Sequence, residues 1–259
     1  MPVTVLMQQF VDDELDRAPD LIDRTHAGAL QLLRDPRNNA LYASERSHHA
    51  ALVEALGSRA AAFRQAFVDS LGHRVREELQ AVRDPGGQAP SLAGGLQLMD
   101  ESRVEIDIEV SRAIQLIDST AEWELRELQT FTSTLVGLPH VSAESNPLRP
   151  PAYAGALWDA ASAILPAQAQ RMIVLRVASG VMAGLLKNAW AAACTRLEAL
   201  GVEPSAYRTV LLAPGSVPEV PRMRRGPSSA FQVLLADAPA GARARGASPP
   251  PTRSAGCPA

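Results

Sequence analysis

Aromatic residues and cysteines are scarce in this chain of 259 residues. Phe, Trp and Tyr make up only 4% of it, whereas hydrophobic residues, mostly Ala, Leu and Val, reach 46%. Such small side chains favour close packing between helices over a pocket lined by aromatic rings. The two cysteines, Cys194 and Cys257, lack the spacing of a metal site, and no disulfide framework is expected from them.

The sequence motifs of nucleotide-binding and hydrolytic enzymes are also absent. The chain has no Gly-x-Gly-x-x-Gly, no Gly-x-x-x-x-Gly-Lys-Ser and no Gly-x-Ser-x-Gly segment, and Gly94-Gly95 follows no predicted strand. Alternating apolar and polar runs, which would indicate a sheet, are missing as well. We therefore predict no catalytic residue, no cofactor and no bound metal, and we expect that the chain is not an enzyme.

The net charge of −3 is unevenly distributed along the chain. Residues 214–259 contain six arginines against Glu219 and Asp237, a net charge of +4, which leaves −7 for the remaining residues. A protein that binds nucleic acid needs a basic surface to neutralise the phosphate charges. The acidic body of the chain therefore argues against nucleic acid as the partner.

Features that would direct the chain to or across a membrane are weak. The first ten residues lack a basic start and a long apolar stretch, so they do not resemble a signal peptide. The stretch from Met172 to Cys194 is apolar nearly all round, but Arg176, Lys187 and Asn188 interrupt it. We predict a buried helix of a bundle rather than a membrane span, and a cytoplasmic location.

The strongest amphipathic pattern runs from Asp100 to Val136. Its apolar residues recur at steps of three and four, as expected for one stripe of a helix. They are Ile106, Val110, Ala113, Ile117, Ala121, Leu125, Leu128, Phe131 and Leu135. No Pro or Gly interrupts this run, and Gly137 and Pro139 follow it as a stop signal. The pattern predicts one unbroken helix about 50 Å long.

The same reasoning predicts further helices over 4–15, 19–34, 45–83, 151–163 and 167–199, with a possible turn of helix at 205–212. The apolar stripe of the 45–83 segment comprises Leu52, Leu56, Phe63, Phe67, Leu71, Val75, Leu79 and Val82. Together these segments predict an all-α fold, an elongated bundle of about six helices.

The composition suggests how the chain divides into domains. Residues 1–213 form the predicted helical domain, with a possible internal boundary at 84–95, where Gly, Pro and Ala are frequent. Residues 214–259 contain nine prolines and five glycines. Such a segment buries too little apolar surface to offset the entropy of ordering, so a disordered Pro/Arg/Ala-rich tail is predicted.

Three carboxylates at helical spacing, Glu101, Glu105 and Glu109, allow two interpretations. They could hold a divalent metal, but a carboxylate-bridged metal site in a helical bundle uses two Glu-x-x-His pairs on facing helices, and the chain does not hold two. They could instead form a solvated face with local ion pairs, which is the ordinary state of an amphipathic helix. Predicted pairs are Arg103–Asp107, Glu109–Arg112 and Glu122–Arg126. We favour the solvated face.

The five histidines show no metal-ligand pattern. His48 and His49 are adjacent, so on a helix they point about 100° apart and do not form a site on their own. His26, His73 and His140 are isolated, and we interpret each as a surface histidine or a satisfied core histidine.

Two further features are expected to serve packing. The loop from Gly137 to Pro151 contains Asn146-Pro147 and Pro150-Pro151; it is either a recognition loop or a spacer between helical layers, and we favour the spacer. Gly180 and Gly184 are four residues apart on a predicted helix, a spacing that permits close contact with a neighbouring helix.

Several segments resemble a proteobacterial family known as domain of unknown function 1631. They are Leu96-Gln97-Leu98-Met99-Asp100-Glu101, Glu122-Trp123-Glu124-Leu125-Arg126-Glu127-Leu128, Asn146-Pro147-Leu148-Arg149-Pro150 and Gly201-Val202-Glu203-Pro204. The resemblance extends from about the start to residue 213. It implies a helical fold and no assigned catalytic or ligand residue. Members of the family are usually several hundred residues longer, so the resemblance implies a fragment or a shortened variant.

Three functional hypotheses follow. The first is a non-enzymatic protein-interaction or regulatory module with an unidentified protein partner, since no nucleophile, base and orienting group can be assembled. The second is a metal-dependent or small-molecule helical enzyme that uses Glu101, Glu105 and Glu109 with a histidine. The third is a truncated product without an independent role. The sequence does not determine the oligomeric state.

Overall fold

The computed structural model describes residues 3–35, 37, 41–83 and 101–206. In this part the chain forms eight α-helices and two 3-10 turns, and no strand. The helices are α1 (Val3–Leu15), α2 (Ala18–Arg34), α3 (His49–Ser58), α4 (Ala60–Arg83), α5 (Glu101–Thr120), α6 (Glu122–Val136), α7 (Pro150–Ile164) and α8 (Gln168–Ala199); the 3-10 turns are Ala43–His48 and Ala143–Ser145. The predicted all-α bundle is confirmed.

Several predicted segments agree closely with the structure. The helices predicted at 4–15, 19–34, 151–163 and 167–199 correspond to α1, α2, α7 and α8, with ends that differ by one residue. The possible boundary at 84–95, the tail at 214–259 and most of the turn at 205–212 lie outside the described residues. Ser205 and Ala206 are described and are not helical.

The predicted unbroken helix over 100–136 is wrong, because the helix is interrupted at Ala121. This residue adopts φ −120° and ψ 30° between α5 and α6. Just before it, Thr120 Oγ1 and Ser119 Oγ donate to the carbonyl of Leu116 at 2.6 and 3.2 Å. Such side-chain bonds compete with the helical ladder and bend helices. The interruption lets α5 pack on α7 and α8 while α6 packs on α8 and α1.

The predicted helix over 45–83 is also divided. It begins as a 3-10 turn and breaks at Arg59, which has φ −115° and ψ 25°. The Arg59 guanidinium donates to the carbonyl of Ile164, at the end of α7, over 2.8 Å. The apolar stripe is nevertheless correct on both sides of the break, since every predicted member except Val82 is buried. The two breaks account for eight helices where about six were predicted.

Helix α8 is the centre of the bundle and packs against α2, α5, α6 and α7. Its buried face includes Leu175, Met182, Leu186 and Trp190. Helix α2 approaches it closely at Gly28, where an added Cβ atom would lie 2.7 Å from Val181 Cγ1. A second layer is formed by α4 and α7, which pack along each other.

Two histidines join α2 and α3 in a reciprocal manner. His26 on α2 donates through Nε2 to the carbonyl of Leu56, in the last turn of α3, over 2.8 Å. His49, at the start of α3, donates in the same way to the carbonyl of Leu33, in the last turn of α2, over 2.8 Å. Carbonyl groups in the last turn lack helical partners, so each histidine satisfies an end of the neighbouring helix.

After α8 the chain turns back and binds along α6. Gly201 makes the turn with φ 77°, a left-handed conformation that favours glycine. Thr134 Oγ1 then donates to the carbonyl of Glu203 over 2.7 Å, and the backbone N–H of Ser205 donates to the carbonyl of Thr130 over 3.1 Å. The segment 203–205 therefore runs antiparallel to α6.

Candidate functional site

The three carboxylates at helical spacing do not share one ligand position in the described part. Glu105 Oε2 accepts a hydrogen bond from Gln168 over 3.2 Å, and Glu109 pairs with Arg112. The side chain of Glu101 lies outside the described residues. Of the predicted ion pairs, Glu109–Arg112 and Glu122–Arg126 are present, whereas the predicted pair of Arg103 with Asp107 is wrong.

One Glu-x-x-His spacing occurs, at Glu45 and His48, and the glutamate is engaged by α8. Both Glu45 carboxylate oxygens accept hydrogen bonds from Arg176, at 3.0 and 2.5 Å, and one also accepts the backbone N–H of Tyr42. The Arg176 guanidinium also lies 4.3 Å from the centre of the Tyr42 ring. Burial acts to raise the pKa of Glu45, but the hydrogen bonds from Arg176 and Tyr42 outweigh it and lower the pKa. The carboxylate has a structural partner rather than a metal-binding geometry.

The remaining histidines and the described cysteine are separate from one another. His73 pairs with Glu77 on the surface of α4, His140 lines a surface groove, and Cys194 is buried in α8. Burial raises the pKa of the Cys194 thiol to about 12, and the carboxylates of Glu127 and Glu198 add to this shift. Across the described ranges, no three His, Cys, Asp or Glu side chains are grouped as a metal site.

The loop between α6 and α7 is fixed by its own hydrogen bonds. Asn146 is fully buried, and its Oδ1 accepts the backbone N–H of Leu148 over 2.9 Å. Ser145 Oγ lies 3.1 Å from Thr132 Oγ1 and 2.9 Å from Ser133 Oγ, both on α6. Pro150 then occupies the first turn of α7, where proline is well tolerated. These contacts agree with a spacer that joins α6 to α7.

Helix α8 is the one described helix with the length and apolarity of a membrane span, with a mean hydropathy of 1.3 over its best window. Half of that window is buried by the rest of the bundle, and its cationic residues have partners. Arg176 pairs with Glu45, and Lys187 lies 3.8 Å from Glu124. A buried central helix of a soluble protein meets the same criteria of length and apolarity, so these features alone do not indicate a membrane.

The expectation that Gly180 and Gly184 permit a close helix contact is wrong for the described part. Both glycines are exposed, and an added Cβ atom at either position would meet nothing within 4 Å. The close approaches occur instead at Gly28 and Gly155. A Cβ atom on Gly155 would lie 2.5 Å from the guanidinium of Arg74.

Two surface grooves meet at Val82 and Val136. One, of about 880 Å³, lies between α1, α4 and α6, and its wall combines Met7 and Leu79 with Asp12. The other, of about 500 Å³, is bordered by the loop after α6. Two of its charged residues, Arg149 and Glu78, bind each other over 2.5 Å. Glu144 also lines this groove, and Arg149 Nε is buried there without a hydrogen-bond partner in the described ranges.

In the described part, several large apolar side chains are exposed on α5 and at the start of α6. We call this surface the α5 ridge, defined by Val104, Ile108, Leu116 and Trp123. These side chains are 37, 46, 40 and 76% exposed, and they are four of the eight large hydrophobic residues exposed in the described part. Arg112 interrupts the row between Ile108 and Leu116. Exposed apolar surface commonly marks an interaction site when it is contiguous.

Charged side chains border the α5 ridge on both sides. At about 100° per residue, Asp107 lies along one edge of the ridge together with Arg103, and Glu105 and Glu109 lie along the other edge. Asp107 and Asp118 are exposed, and within residues 101–206 and the other described ranges neither forms an ion pair. Arg112, which shares the i+4 spacing of the ridge, is paired with Glu109.

Sequence reasoning did not identify the α5 ridge, although its pattern is present. Val104, Ile108 and Leu116 are spaced at multiples of four on α5, outside the buried stripe through Ala113 and Ile117. A second apolar stripe on one helix indicates a second apolar surface that is available for contact.

Comparison with known proteins gives a match to a family model. A family model described as "Protein of unknown function (DUF1631) N-terminal domain" matches residues 2–197. The match ends before the Gly201–Pro204 segment, so the family resemblance is supported over a shorter range than predicted. No curated protein and no solved structure matches the chain. Because the matched residues make up most of the 259, the chain belongs to the family defined by the DUF1631 N-terminal domain.

Proposed function

We propose that the chain is a cytoplasmic, non-enzymatic module that binds another protein through the α5 ridge. The observation that carries the proposal is the exposure of Trp123 and of three apolar side chains on α5. Trp is the residue type most enriched among the few side chains that dominate binding energy at interfaces. In a chain with 4% aromatic residues, a Trp that is 76% exposed is unlike the other large side chains, most of which are buried.

The chemistry elsewhere in the described part supports a binding role over catalysis. The glutamates that first suggested a reaction and whose side chains are described, Glu105 and Glu109, have hydrogen-bond or ion-pair partners, and so does Glu45. The Cys194 thiol is buried and its pKa is raised, which is unfavourable for a nucleophile. A fixed helical scaffold with an uncovered apolar face is what a docking module requires.

Site-specific photo-crosslinking in the native host tests this proposal. A photoreactive amino acid replaces Ile108 in one variant and Leu200, which is 65% exposed, in the matched control. We expect a discrete adduct with another protein from position 108 and none from position 200. We also expect that Trp123→Ala strongly reduces the adduct. Absence of an adduct at 108, or equal adducts at both positions, would contradict the proposed function.

A further inference from the structure

A cavity of about 290 Å³ lies between α2, α7 and α8, beside the end of α1. Two buried aromatic residues line it, Tyr153 on α7 and Trp190 on α8, which are 6 and 2% exposed. Their rings lie edge to face with centroids 6.1 Å apart. Leu21 and Leu186 add apolar surface to the wall. The cavity therefore combines an apolar lining with two aromatic side chains that carry hydrogen-bonding atoms.

The indole N–H of Trp190 is a buried donor that has no hydrogen-bond partner in the described ranges. An indole nitrogen only donates, so this group needs an acceptor. Two other buried nitrogens lack partners, but they belong to Arg149 and Arg171, whose guanidinium groups are bonded through a second nitrogen. Buried polar groups are normally paired, so the Trp190 N–H indicates an acceptor that the chain itself does not supply.

Tyr153 and Glu14 place further polar groups at the same cavity. Burial raises the pKa of the Tyr153 hydroxyl and the Glu14 carboxylate adds to the rise, whereas the Trp190 side chain opposes it. The hydroxyl therefore stays protonated and is able to donate. The side chain of Glu14 is 8% exposed, and its contacts with Arg196 and Arg17 in the described part both use Oε1. Glu14 Oε2 is thus able to accept a further hydrogen bond.

We propose that this cavity binds a small uncharged amide that carries an apolar group, independently of the α5 ridge. A carbonyl oxygen has two lone pairs and would accept from the Tyr153 hydroxyl and the Trp190 N–H. The amide N–H would donate to Glu14, and the apolar group would contact Leu21 and Leu186. Ligand sites commonly combine an apolar lining with a few convergent polar groups in this way.

The charges around the cavity favour an uncharged ligand. Glu14 is paired with Arg196 and lies 3.5 Å from Arg17, and Asp20 pairs with Arg24 over 3.6 Å. A charged ligand would have to compete with these pairs. It would also lose its hydration beside buried aromatic rings without gaining a partner of its own. An amide offers a donor and an acceptor and carries neither cost.

The experiment follows the indole N–H signals of the full chain in ¹⁵N–¹H correlation NMR. The chain has three tryptophans. Trp123→Phe and Trp158→Phe assign two of the signals, so that of Trp190 follows by elimination. The probes are hexanamide, hexanoate and hexylamine, which carry apolar chains of similar length. We expect hexanamide to shift the Trp190 signal saturably, with a Kd at least about fivefold lower than that of either charged probe.

Variants of the chain test the contacts. Tyr153→Phe removes the hydroxyl and keeps the ring, so hexanamide should bind at least about fivefold more weakly. Tyr42→Phe is the matched control, because Tyr42 is 63% exposed and does not line this cavity. Ala189→Leu adds bulk to the cavity wall and should also weaken binding. Circular dichroism and thermal unfolding verify that each variant is folded.

The outcomes decide for or against the amide site. A Trp190 signal that does not respond to hexanamide, or that responds equally to all three probes, would overturn the inference. Binding that is unchanged in both Tyr153→Phe and Ala189→Leu would place the ligand elsewhere and overturn it as well. The photo-crosslink from position 108 is a separate result, so failure of the amide site leaves the proposed docking role standing.

Discussion

The guanidinium group of Arg74 on α4 lies where a Cβ atom of Gly155 on α7 would be, with Cζ and Nη1 each 2.5 Å from that position. Arg74 is held there by hydrogen bonds to Ser70 Oγ at 3.1 Å and to Asp159 Oδ2 at 2.9 Å. Ser70 Oγ donates to the same Asp159 oxygen over 2.6 Å. The position of the Arg74 guanidinium against α7 therefore requires the absence of a side chain at residue 155.

This contact predicts that two glycine substitutions differ in their effect on the free energy of unfolding. Gly155→Ala must displace Arg74 from Ser70 and Asp159, whereas Gly184→Ala on α8 adds a methyl group in open space. In a helix interior, alanine is about 1 kcal/mol more favourable than glycine in helix propensity, so Gly184→Ala should stabilise the protein by up to that amount. We expect Gly155→Ala to be up to about 1 kcal/mol less stable than Gly184→Ala, measured by urea unfolding, because the displaced Arg74–Asp159 pair is partly exposed. Equal stabilities of the two variants would show that Arg74 moves aside without cost.

The pairing of Glu45 with Arg176 predicts a pH-dependent contribution to stability. The folded-state pKa of Glu45 is below its ordinary value of 4.5, so the folded state favours the carboxylate. The contribution is therefore complete above about pH 4.5 and is lost as the pH falls through the lowered folded-state pKa. We expect Glu45→Gln to destabilise the protein at pH 7 by about 1–3 kcal/mol and by progressively less below pH 4.5.

The matched control for Glu45 is Glu122→Gln. Glu122 pairs with Arg126 over 2.7 Å on the surface of α6, and both side chains are about half exposed. An exposed pair at this spacing contributes less than about 1 kcal/mol. Urea unfolding at several pH values should separate the two variants. If the destabilisation by Glu45→Gln were the same at pH 7 and below pH 4.5, the ionised Glu45 carboxylate would not be the source of the stabilisation.

The burial of Cys194 predicts slow reaction with thiol reagents. Raising the pKa from 9.0 to about 12 lowers the thiolate fraction near pH 8 by about a thousandfold. Cys257→Ser leaves Cys194 as the single thiol, and its alkylation should be at least that much slower in the folded protein than in urea. Alkylation of the folded variant at the rate of a free cysteine would show that α8 opens readily.

The metal-dependent hypothesis and the binding hypothesis predict different metal contents for the purified protein. If Glu105 and Glu109 held a catalytic metal together with Glu101, purified protein would contain one or more ions of iron, manganese or zinc per chain. Because Glu105 and Glu109 bind Gln168 and Arg112 instead, we expect metal content well below one ion per chain. Elemental analysis measures this directly. Stoichiometric metal that is lost in Glu105→Gln would favour the enzyme.

Apolar periodicity was sufficient to predict the fold class and most of the core. The stripes through Phe63 and Leu71 on α4 and through Ile117 and Leu128 on α5 and α6 are buried as predicted. The helix breaks were not predicted, because apolar spacing continues across Ala121 and the interruption depends on side-chain bonds to Leu116. Side-chain hydroxyl groups and tertiary contacts determine where a helix is interrupted. The spacing of apolar residues carries no information about either.

The candidate surface was missed for a related reason. Sequence reasoning assigns each helix one apolar face, and on α5 the stripe through Ala113 and Ile117 met that expectation. Whether Val104, Ile108 and Leu116 were covered depended on which helices surround α5. The histidine contacts between α2 and α3 could not be predicted from the sequence either, since His26 and His49 reach their carbonyl partners only after the two helices have packed.

The return of the chain onto α6 has a mechanical consequence. Because Glu203 and Ser205 are hydrogen-bonded to Thr134 and Thr130, tension on the polypeptide beyond residue 206 is borne first by these bonds and then by α6, not by the end of α8. That helix also carries Trp123. Force applied from downstream of residue 206 therefore reaches the helix that carries the proposed docking residue, and stretching the chain would load that surface.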